Sequence, residues 1–120
     1  MQSEPQVNHN YLVAVDGSEA SHLAYEVITN SILNTGGRHD FLTVAHVFNK
    51  NKTYLPFNMH AETIRQTYES LISGYGTKAF LMWEELDPKL STKEHVIDIA
   101  NRSGADILVV GMHGRKGPKS

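Results

Sequence analysis

Residues Tyr11–Ser18 read Y-L-V-A-V-D-G-S, an apolar strand that ends in Asp-Gly-Ser. Near the other end of the chain, Ala105–Gly114 reads A-D-I-L-V-V-G-M-H-G, a second apolar strand that runs into two glycines. Continuous apolar runs of this kind are typical of central parallel strands that helices cover on both faces. Polar residues and glycines at the carboxyl ends of such strands predict a nucleotide cleft at that edge of the sheet.

The composition excludes several classes of protein. The chain has 120 residues, a formal net charge of -2 and no cysteine. The lack of cysteine rules out a disulfide framework, thiolate metal sites and cysteine nucleophiles. The charge balance gives no basic surface for nucleic acid, and no apolar run approaches the roughly 20 residues that span a bilayer. We therefore expect a cytoplasmic protein with one domain over residues 11–120, preceded by a flexible polar arm at residues 1–10.

The apolar periodicity predicts strands that alternate with helices. The expected strands are Tyr11–Val15, Phe41–Phe48, Lys78–Trp83 and Ile107–Val110. The first helix is expected to begin after an N-cap at Asp16 or Ser18 and to bury a stripe formed by Ala20, Leu23, Ala24, Val27, Ile28 and Ile32. The second and third helices are expected around Ile64–Tyr75 and from Ser91 or Thr92 to Gly104. The order β-α-β-α-β-α-β predicts an α/β fold, an open parallel sheet with helices on both faces.

Four segments together resemble universal stress protein domains, of the adenine-nucleotide α-hydrolase-like superfamily. They are V-A-V-D-G-S at Val13–Ser18, A-H-V at Ala45–Val47, I-D-I-A-N-R-S-G-A-D at Ile97–Asp106 and I-L-V-V-G-M-H-G at Ile107–Gly114. The resemblance spans Tyr11 to Gly117, which is nearly the whole chain. It implies a five-stranded parallel sheet of order 3-2-1-4-5, frequent dimerisation, and ATP or AMP as the ligand of some members but not of others.

The family's nucleotide-binding members carry the pattern G-x2-G-x9-G-[ST]. Gly111 and Gly114 match its first two glycines, the third would fall beyond Ser120, and Met112 stands where the family often has serine. We therefore expect a C-terminally short domain without the last helix and strand, and nucleotide binding that the incomplete phosphate loop weakens. We also expect an open edge on the fourth strand, which a second copy or a strand-donating partner would cover.

The same matching implies a set of binding residues. Asp16 resembles the family's adenosine-contacting aspartate, and Val47 resembles the residue whose backbone contacts adenine. The other expected ligand-binding residues flank these positions and the glycine loop: Val15, Gly17, Gly111, Met112, His113, Gly114 and Arg115. Each has a structural alternative: Asp16 as a helix N-cap, the glycines as strand-ending turns with positive φ, and His113 and Arg115 as solvated loop residues.

No group of residues predicts catalysis or a metal ion. The stretch after the first strand lacks the second glycine of a nucleophile elbow, and five of the histidines lack metal-ligand spacing: His9, His22, His39, His60 and His95. His46 is expected to be a hydrogen-bonded core or strand-end residue. The sequence therefore predicts a non-enzymatic, adenine-nucleotide-binding stress-response domain. The alternatives are an interaction or chaperone-like module of the same fold and, with less support, an enzyme of the wider superfamily.

Overall fold

The computed structural model describes residues 9–30, 40–50 and 54–111. Within them the elements are β1 (Asn10–Ala14), α1 (Glu19–Ile28), β2 (Phe41–Phe48), α2 (Ala61–Ile72), β3 (Ala79–Glu85), α3 (Thr92–Ser103) and β4 (Ile107–Val110). Two short 3-10 helices, Phe57–Met59 and Ser73–Lys78, flank α2. In this part of the chain no helix is long and apolar enough to cross a membrane.

The four strands form one parallel sheet in the order β3-β2-β1-β4. Val13 at the centre of β1 lies opposite Val44 of β2 on one side and Val109 of β4 on the other. The predicted α/β class and strand order are therefore confirmed, with four strands in the described chain where the resemblance implied five. Among the described strands β4 pairs with β1 alone, and the expected partner strand on its outer edge stays a prediction.

The two faces of the sheet pack against different helices. One face packs with α1 and α2 in the larger core, where the buried strand residues include Val13, Leu42 and Val44. The other face packs with α3, where Leu12 and Ile99 are fully buried. This division places helices on both faces, as right-handed crossovers between parallel strands require.

The strand boundaries differ from the sequence-based expectation only at β1 and β3. β2 and β4 have the predicted bounds, and β1 is shifted toward the N-terminus by one residue. β3 begins at Ala79 and continues to Glu85 because its pairing with β2 extends as far as Phe48 opposite Glu85. This extension carries Glu84 and Glu85 into the strand, beside the carboxyl end of β2.

The predicted buried stripe of α1 was partly wrong. Leu23 and Val27 are 55% and 60% exposed, whereas Ser21, Tyr25 and Ile28 face the core. The Tyr25 ring packs edge-to-face on Tyr68 of α2, with centroids 5.1 Å apart, and this contact sets the rotation of the helix. Ser21 is tolerated in the core because its hydroxyl accepts from the Asp16 backbone N–H and donates to the Ser18 carbonyl.

Ser18, rather than Asp16, is the N-cap of α1. Its hydroxyl oxygen accepts from the Ser21 backbone N–H at 3.2 Å, so Ser18 is confirmed among the two expected N-caps. Asp16 lies two residues before the cap, and its carboxylate accepts from the Ser18 backbone N–H at 2.9 Å in an Asx turn. At α3 the expected cap is confirmed: Ser91 and Glu94 form a full capping box.

A polar network fastens α3 to the end of β3. Arg102 donates two hydrogen bonds to Glu84, at 2.7 and 3.1 Å, and these hold the pKa of Glu84 below its usual value. Buried His95 accepts from the Asp87 backbone N–H through Nδ1 at 3.0 Å, so Nε2 is the protonated nitrogen that donates to Glu84 at 2.9 Å. The loop between β3 and α3 is thereby held at the carboxyl edge of the sheet.

Replacing Ser18 with alanine removes the side-chain acceptor at the start of α1. We expect a loss of about 1 kcal/mol of unfolding free energy, the usual effect of deleting a serine N-cap. Urea denaturation, monitored by circular dichroism, measures this loss of unfolding free energy. Ser70→Ala, at an exposed position inside α2, is the matched control and should cause no loss. Equal stability of the two variants would contradict the role assigned to Ser18.

Candidate functional site

A groove of about 600 Å³ opens at the carboxyl ends of β1, β2 and β3. Its lining comes from the ends of these strands, the segment before α2 and the starts of α2 and α3: Asp16, His46, Val47, Phe48, Asn49, Lys50, Leu55, Met59, His60, Ala61, Glu62, Trp83 and Thr92. Open parallel sheets bind their ligands at this edge, and the volume is in the range of small-molecule sites.

Asp16 lies at the rim of this groove, just beyond β1. The Asx turn to the Ser18 backbone N–H orients its carboxylate, and its own backbone N–H donates to Ser21 at 3.2 Å. Because Ser18 provides the helix cap, the carboxylate of Asp16 is not required for that purpose. The structure thus brings the two residues that the resemblance singled out, Asp16 and Val47, into one groove.

Gly17, in the turn between β1 and α1, packs closely against the segment before α2. Its φ is +85°, and a Cβ atom on it would overlap the carbonyl oxygen of Asn58 and lie 2.9 Å from Met59 Cα. The Asn58 side chain also donates to the Gly17 carbonyl at 2.8 Å. The turn after β1 therefore packs backbone to backbone against the segment that leads into α2.

Gly111 follows β4 but is not among the residues that line the groove. Its φ is not in the positive range, so the alternative of a turn that requires positive φ was wrong. A Cβ at Gly111 would overlap the carbonyl group of Ala20 in the first turn of α1. Close approach of the strand end to that helix is therefore sufficient to explain a glycine at this position.

His46 connects the ends of β2 and β1. Its side chain is buried, 6% exposed, and Nδ1 donates to the Val15 carbonyl at 2.7 Å. The expectation of a hydrogen-bonded strand-end residue is thus confirmed. Burial lowers the pKa of His46, although the bond to Val15 and the charge of Asp16 oppose the shift. With Nδ1 protonated and the ring neutral, Nε2 is an acceptor, and this buried atom has no hydrogen-bond partner among the residues that the structure describes.

Aromatic rings form one wall of the groove. Phe48 and Trp83 lie with their centroids 4.5 Å apart, and Phe48 also stacks on the His46 ring at 6.3 Å. The Trp83 indole N–H donates to the Ala61 carbonyl at 2.8 Å, which fixes the wall to the first turn of α2. The guanidinium of Arg65 lies 5.3 Å from the Trp83 ring centre.

The charged groups at the groove are mostly paired. Glu62 receives the Arg65 guanidinium at 2.6 Å, and Lys50 lies 3.4 Å from Glu85. His60 donates through Nε2 to the Leu55 carbonyl at 2.7 Å. In the described chain, no group of three or more histidine, aspartate or glutamate side chains could hold a metal ion.

The remaining expected site residues have different outcomes. The Val15 carbonyl accepts the hydrogen bond from His46. Gly17 packs against the backbone of Asn58 and Met59. Four of the expected residues lie outside the described part of the chain: Met112, His113, Gly114 and Arg115. Sequence reasoning missed Phe48, Met59 and Glu62 as lining residues. Met59 comes from the segment before α2 and Glu62 from the first turn of α2, and no sequence pattern indicated that this part of the chain lies over the strand ends.

Comparison with known proteins agrees with the fold. The sequence model described as the universal stress protein family matches residues 8–120. A solved structure of a universal stress protein family member from Burkholderia pseudomallei has a TM-score of 0.58 at 19% identity, over 88% of this chain and 83% of that one. Protein Rv1636 from Mycobacterium tuberculosis H37Rv has a TM-score of 0.50 at 23% identity, over 86% and 70%. No curated protein matches the sequence.

The contact at Gly17 generates a stability prediction. We expect Gly17→Ala to lose about 1–3 kcal/mol, because an L-residue is strained at φ +85° and its methyl group meets the Asn58 carbonyl. Gly74→Ala is the matched control: its φ is not in the positive range, and a Cβ there meets nothing within 4 Å. Thermal melting of both variants distinguishes them, and a Gly17→Ala protein as stable as the control would disprove this contact.

The lowered pKa of His46 predicts a pH dependence of stability. The unfolded chain binds a proton near pH 6.5, whereas the folded chain binds it only at lower pH. The contribution of His46 is therefore fully present above pH 6.5 and decreases as the pH falls toward the folded-state pKa, by at most about 1.4 kcal/mol per pH unit. Urea denaturation between pH 7.5 and 5 should show a weaker dependence for His46→Asn than for the unmodified protein. Identical slopes of unfolding free energy against pH in the two proteins would contradict the assignment of this dependence to His46.

Proposed function

The chain belongs to the universal stress protein family, and on that premise we propose that it binds an adenine nucleotide, ATP or AMP, as a non-enzymatic regulatory domain of the stress response in the cytoplasm. The observation that carries the proposal is the groove at the carboxyl edge of the sheet, with Asp16 at its rim and Val47 in its lining. The family resemblance assigns adenosine contacts to these same two positions.

Each part of the groove offers a contact that a nucleoside uses. The carboxylate of Asp16 accepts hydrogen bonds from ribose hydroxyls, and the backbone of Val47 offers polar atoms to the base edge. The rings of Phe48 and Trp83 provide apolar surface beside these polar groups. A mostly apolar lining with a few positioned polar groups is the usual character of a cofactor site.

The phosphates are expected to lie away from this groove, toward the end of β4. Asp16 and Glu62 give the groove two carboxylates, which repel phosphate oxygens. Gly111 follows β4, which lies on the far side of β1 from β2, and His113, Gly114 and Arg115 come after it in the sequence. The proposal accordingly places the nucleoside between β1 and β3 and the phosphates beyond β1.

The hydrogen bonds of the two groove histidines support a regulatory role without catalysis. In the described groove both His46 and His60 donate to backbone carbonyls, at 2.7 Å each. Neither contacts a serine, threonine or lysine that would act as a nucleophile in those described bonds. We therefore propose no chemical step on the bound nucleotide.

The second candidate is an interaction module of the same fold that acts through a protein partner or a second copy. Exposed apolar side chains favour it: Tyr54 and Phe57 beside α2 are 77% and 74% exposed, and Leu108 and Val110 of β4 are also exposed. Under this alternative the nucleotide groove is empty in the working protein. Light scattering at several concentrations tests self-association independently of nucleotide.

Mass spectrometry of the purified protein after denaturation separates the two candidates. ATP or AMP released from the protein at a stoichiometric ratio supports nucleotide binding, as does saturable binding in calorimetry. No released nucleotide, together with no heat of binding for ATP or AMP at millimolar concentration, would refute the first candidate and leave the interaction module.

Asp16→Asn tests the role of the carboxylate. The amide oxygen still accepts from the Ser18 backbone N–H, so the turn is kept while the charge is lost. We expect nucleotide affinity to fall at least about tenfold, since hydrogen bonds to a charged group contribute about 1.5–3 kcal/mol. Asp106→Asn makes the same change at the opposite edge of the sheet, where Asp106 accepts from Asn10, and should keep the affinity. Unchanged affinity in both variants would remove Asp16 from the site.

A further inference from the structure

The outer edge of β3 is an apolar strand edge at one side of the sheet. Of the strands that the structure describes, only β2 pairs with β3, and the register between them is continuous, without a bulge. Residues Ala79–Trp83 read A-F-L-M-W, with no charged residue, proline or glycine. Natural proteins protect an edge strand with charges, proline or bulges, because its free backbone groups pair readily with another strand. The centre of this edge has none of these protections, so it is suited to pairing.

The hydrogen bonds to β2 determine which backbone groups of β3 point outward. The Leu86 backbone N–H donates to the Phe48 carbonyl at 2.7 Å. In a parallel ladder every second residue of a strand directs both its N–H and its C=O to the same neighbour, so the even-numbered residues of β3 bond to β2. The residues that direct these groups outward are the odd-numbered ones: Ala79, Leu81, Trp83 and Glu85. A strand added antiparallel to this edge must form its hydrogen-bonded pairs with these residues.

Apolar side chains lie beside this edge on the face of the sheet that packs with α3. Met82 packs with the cluster around α3, and Phe80, two residues earlier in the strand, lies on the same face. Phe80 is 51% exposed, and Phe41 of β2 is 39% exposed. These side chains line an open hollow of about 500 Å³ together with Thr43. A partner at the edge of β3 would therefore cover apolar surface that α3 leaves exposed.

The charges at the two ends of β3 favour a second copy of the chain as that partner. Lys78 directly precedes β3, whereas Glu84 and Glu85 end it. Two antiparallel copies of the strand bring the positive start of each beside the negative end of the other. Glu84 already binds Arg102, which also binds Asp98, so two carboxylates share one guanidinium and one negative charge is left for Lys78.

The hydrogen-bond pattern and the charges together select one register. With Leu81 opposite Leu81 of the second copy, odd-numbered residues face odd-numbered residues, and Lys78 lies opposite Glu84. A shift by one residue would place outward backbone groups opposite groups that already bond to β2. Centring the pair on Phe80 or Met82 keeps the hydrogen bonds but moves Lys78 away from Glu84.

We propose that β3 pairs antiparallel with β3 of a second copy, about a two-fold axis at Leu81, so that one sheet continues across both copies. Phe80 of each copy then lies directly opposite Met82 of the other, on the face that packs with α3. A thioether beside an aromatic ring is a favourable contact, and the two-fold axis provides it twice. The inference does not depend on nucleotide binding, and it concerns the edge of the sheet opposite to β4.

Disulfide formation tests the register directly, because the sequence contains no cysteine. Phe80→Cys and Met82→Cys are prepared as separate proteins and mixed under mild oxidation. The proposed register makes them a non-hydrogen-bonded pair with Cα atoms about 4.5 Å apart, which is within the range of a disulfide. We expect mass spectrometry to find the mixed disulfide between the two variants in clear excess over either symmetric one.

Phe80→Lys tests the contribution of this edge to assembly. The lysine would place a charge beside the apolar side chains of the second copy, whereas Leu108→Lys makes a comparable change on β4, where Leu108 is 41% exposed. Sedimentation equilibrium over a range of concentrations should show a reversible dimer, twice the 13.4 kDa of one chain, for the unmodified protein and for Leu108→Lys. We expect Phe80→Lys to raise the dissociation constant of the dimer at least about tenfold. Thermal melting establishes that both variants are folded.

Three results would overturn the inference. The unmodified protein could remain monomeric at the highest concentration measured. Leu108→Lys could dissociate the dimer while Phe80→Lys leaves it intact, which would assign the contact to β4. Either cysteine variant alone could form its symmetric disulfide as readily as the mixed one forms, which would contradict the register centred on Leu81. Each of these results leaves the proposed nucleotide binding untouched.

Discussion

Two hydrogen bonds fasten the carboxyl ends of β1 and β2 to each other, and the candidate site depends on them. The Val15 backbone N–H donates to the Ala45 carbonyl at 2.8 Å, and the Val15 carbonyl accepts from His46 Nδ1 at 2.7 Å. The first bond continues the parallel pairing one residue beyond β1, and the second uses a side chain to satisfy the next carbonyl, which has left the sheet. Asp16 follows directly, so its position over the groove is set by β2 as well as by β1.

The same bond also determines the tautomer of His46. By using Nδ1–H it leaves Nε2 as an acceptor, and burial keeps the ring neutral by lowering its pKa. A protonated His46 would have offered a donor to a carbonyl or phosphate oxygen instead. The bond to Val15 and the protonation state of the ring are therefore linked.

The sequence predicted those parts of the fold that depend on local pattern. The bounds of β2 and β4, the Ser91 cap and the Gly104 C-cap all follow from short-range signals, and the structure agrees with each. The buried face of α1 did not follow, because Leu23 and Val27 fit the helical period while the contact of Tyr25 with Tyr68 determines the rotation. The apolar stripe was compatible with more than one rotation, and only packing against α2 selects between them.

The candidate site likewise contains some residues that the sequence predicted and others that only the tertiary structure brings in. Asp16 and Val47 were expected because the family resemblance singles out their positions. Met59 was not expected, because the segment before α2 has no pattern of its own, and the helical pattern of α2 did not indicate that Glu62 in its first turn would line the groove. The unpartnered Nε2 of His46 was beyond reach of the sequence, since it depends on which carbonyl lies near the ring and on what covers it. Alternation with apolar neighbours indicated only that His46 would be bonded or buried.

The glycines illustrate why a motif match and a binding site are separate observations. Gly17 and Gly111 both lie at strand ends, and each lacks room for a Cβ because another segment's backbone lies against it. At Gly17 that backbone belongs to Asn58, and at Gly111 to Ala20. Packing alone therefore requires glycine at both positions, whether or not a phosphate binds nearby. The proposal of a nucleotide rests instead on the groove at the carboxyl edge of the sheet, which Asp16 and Val47 line.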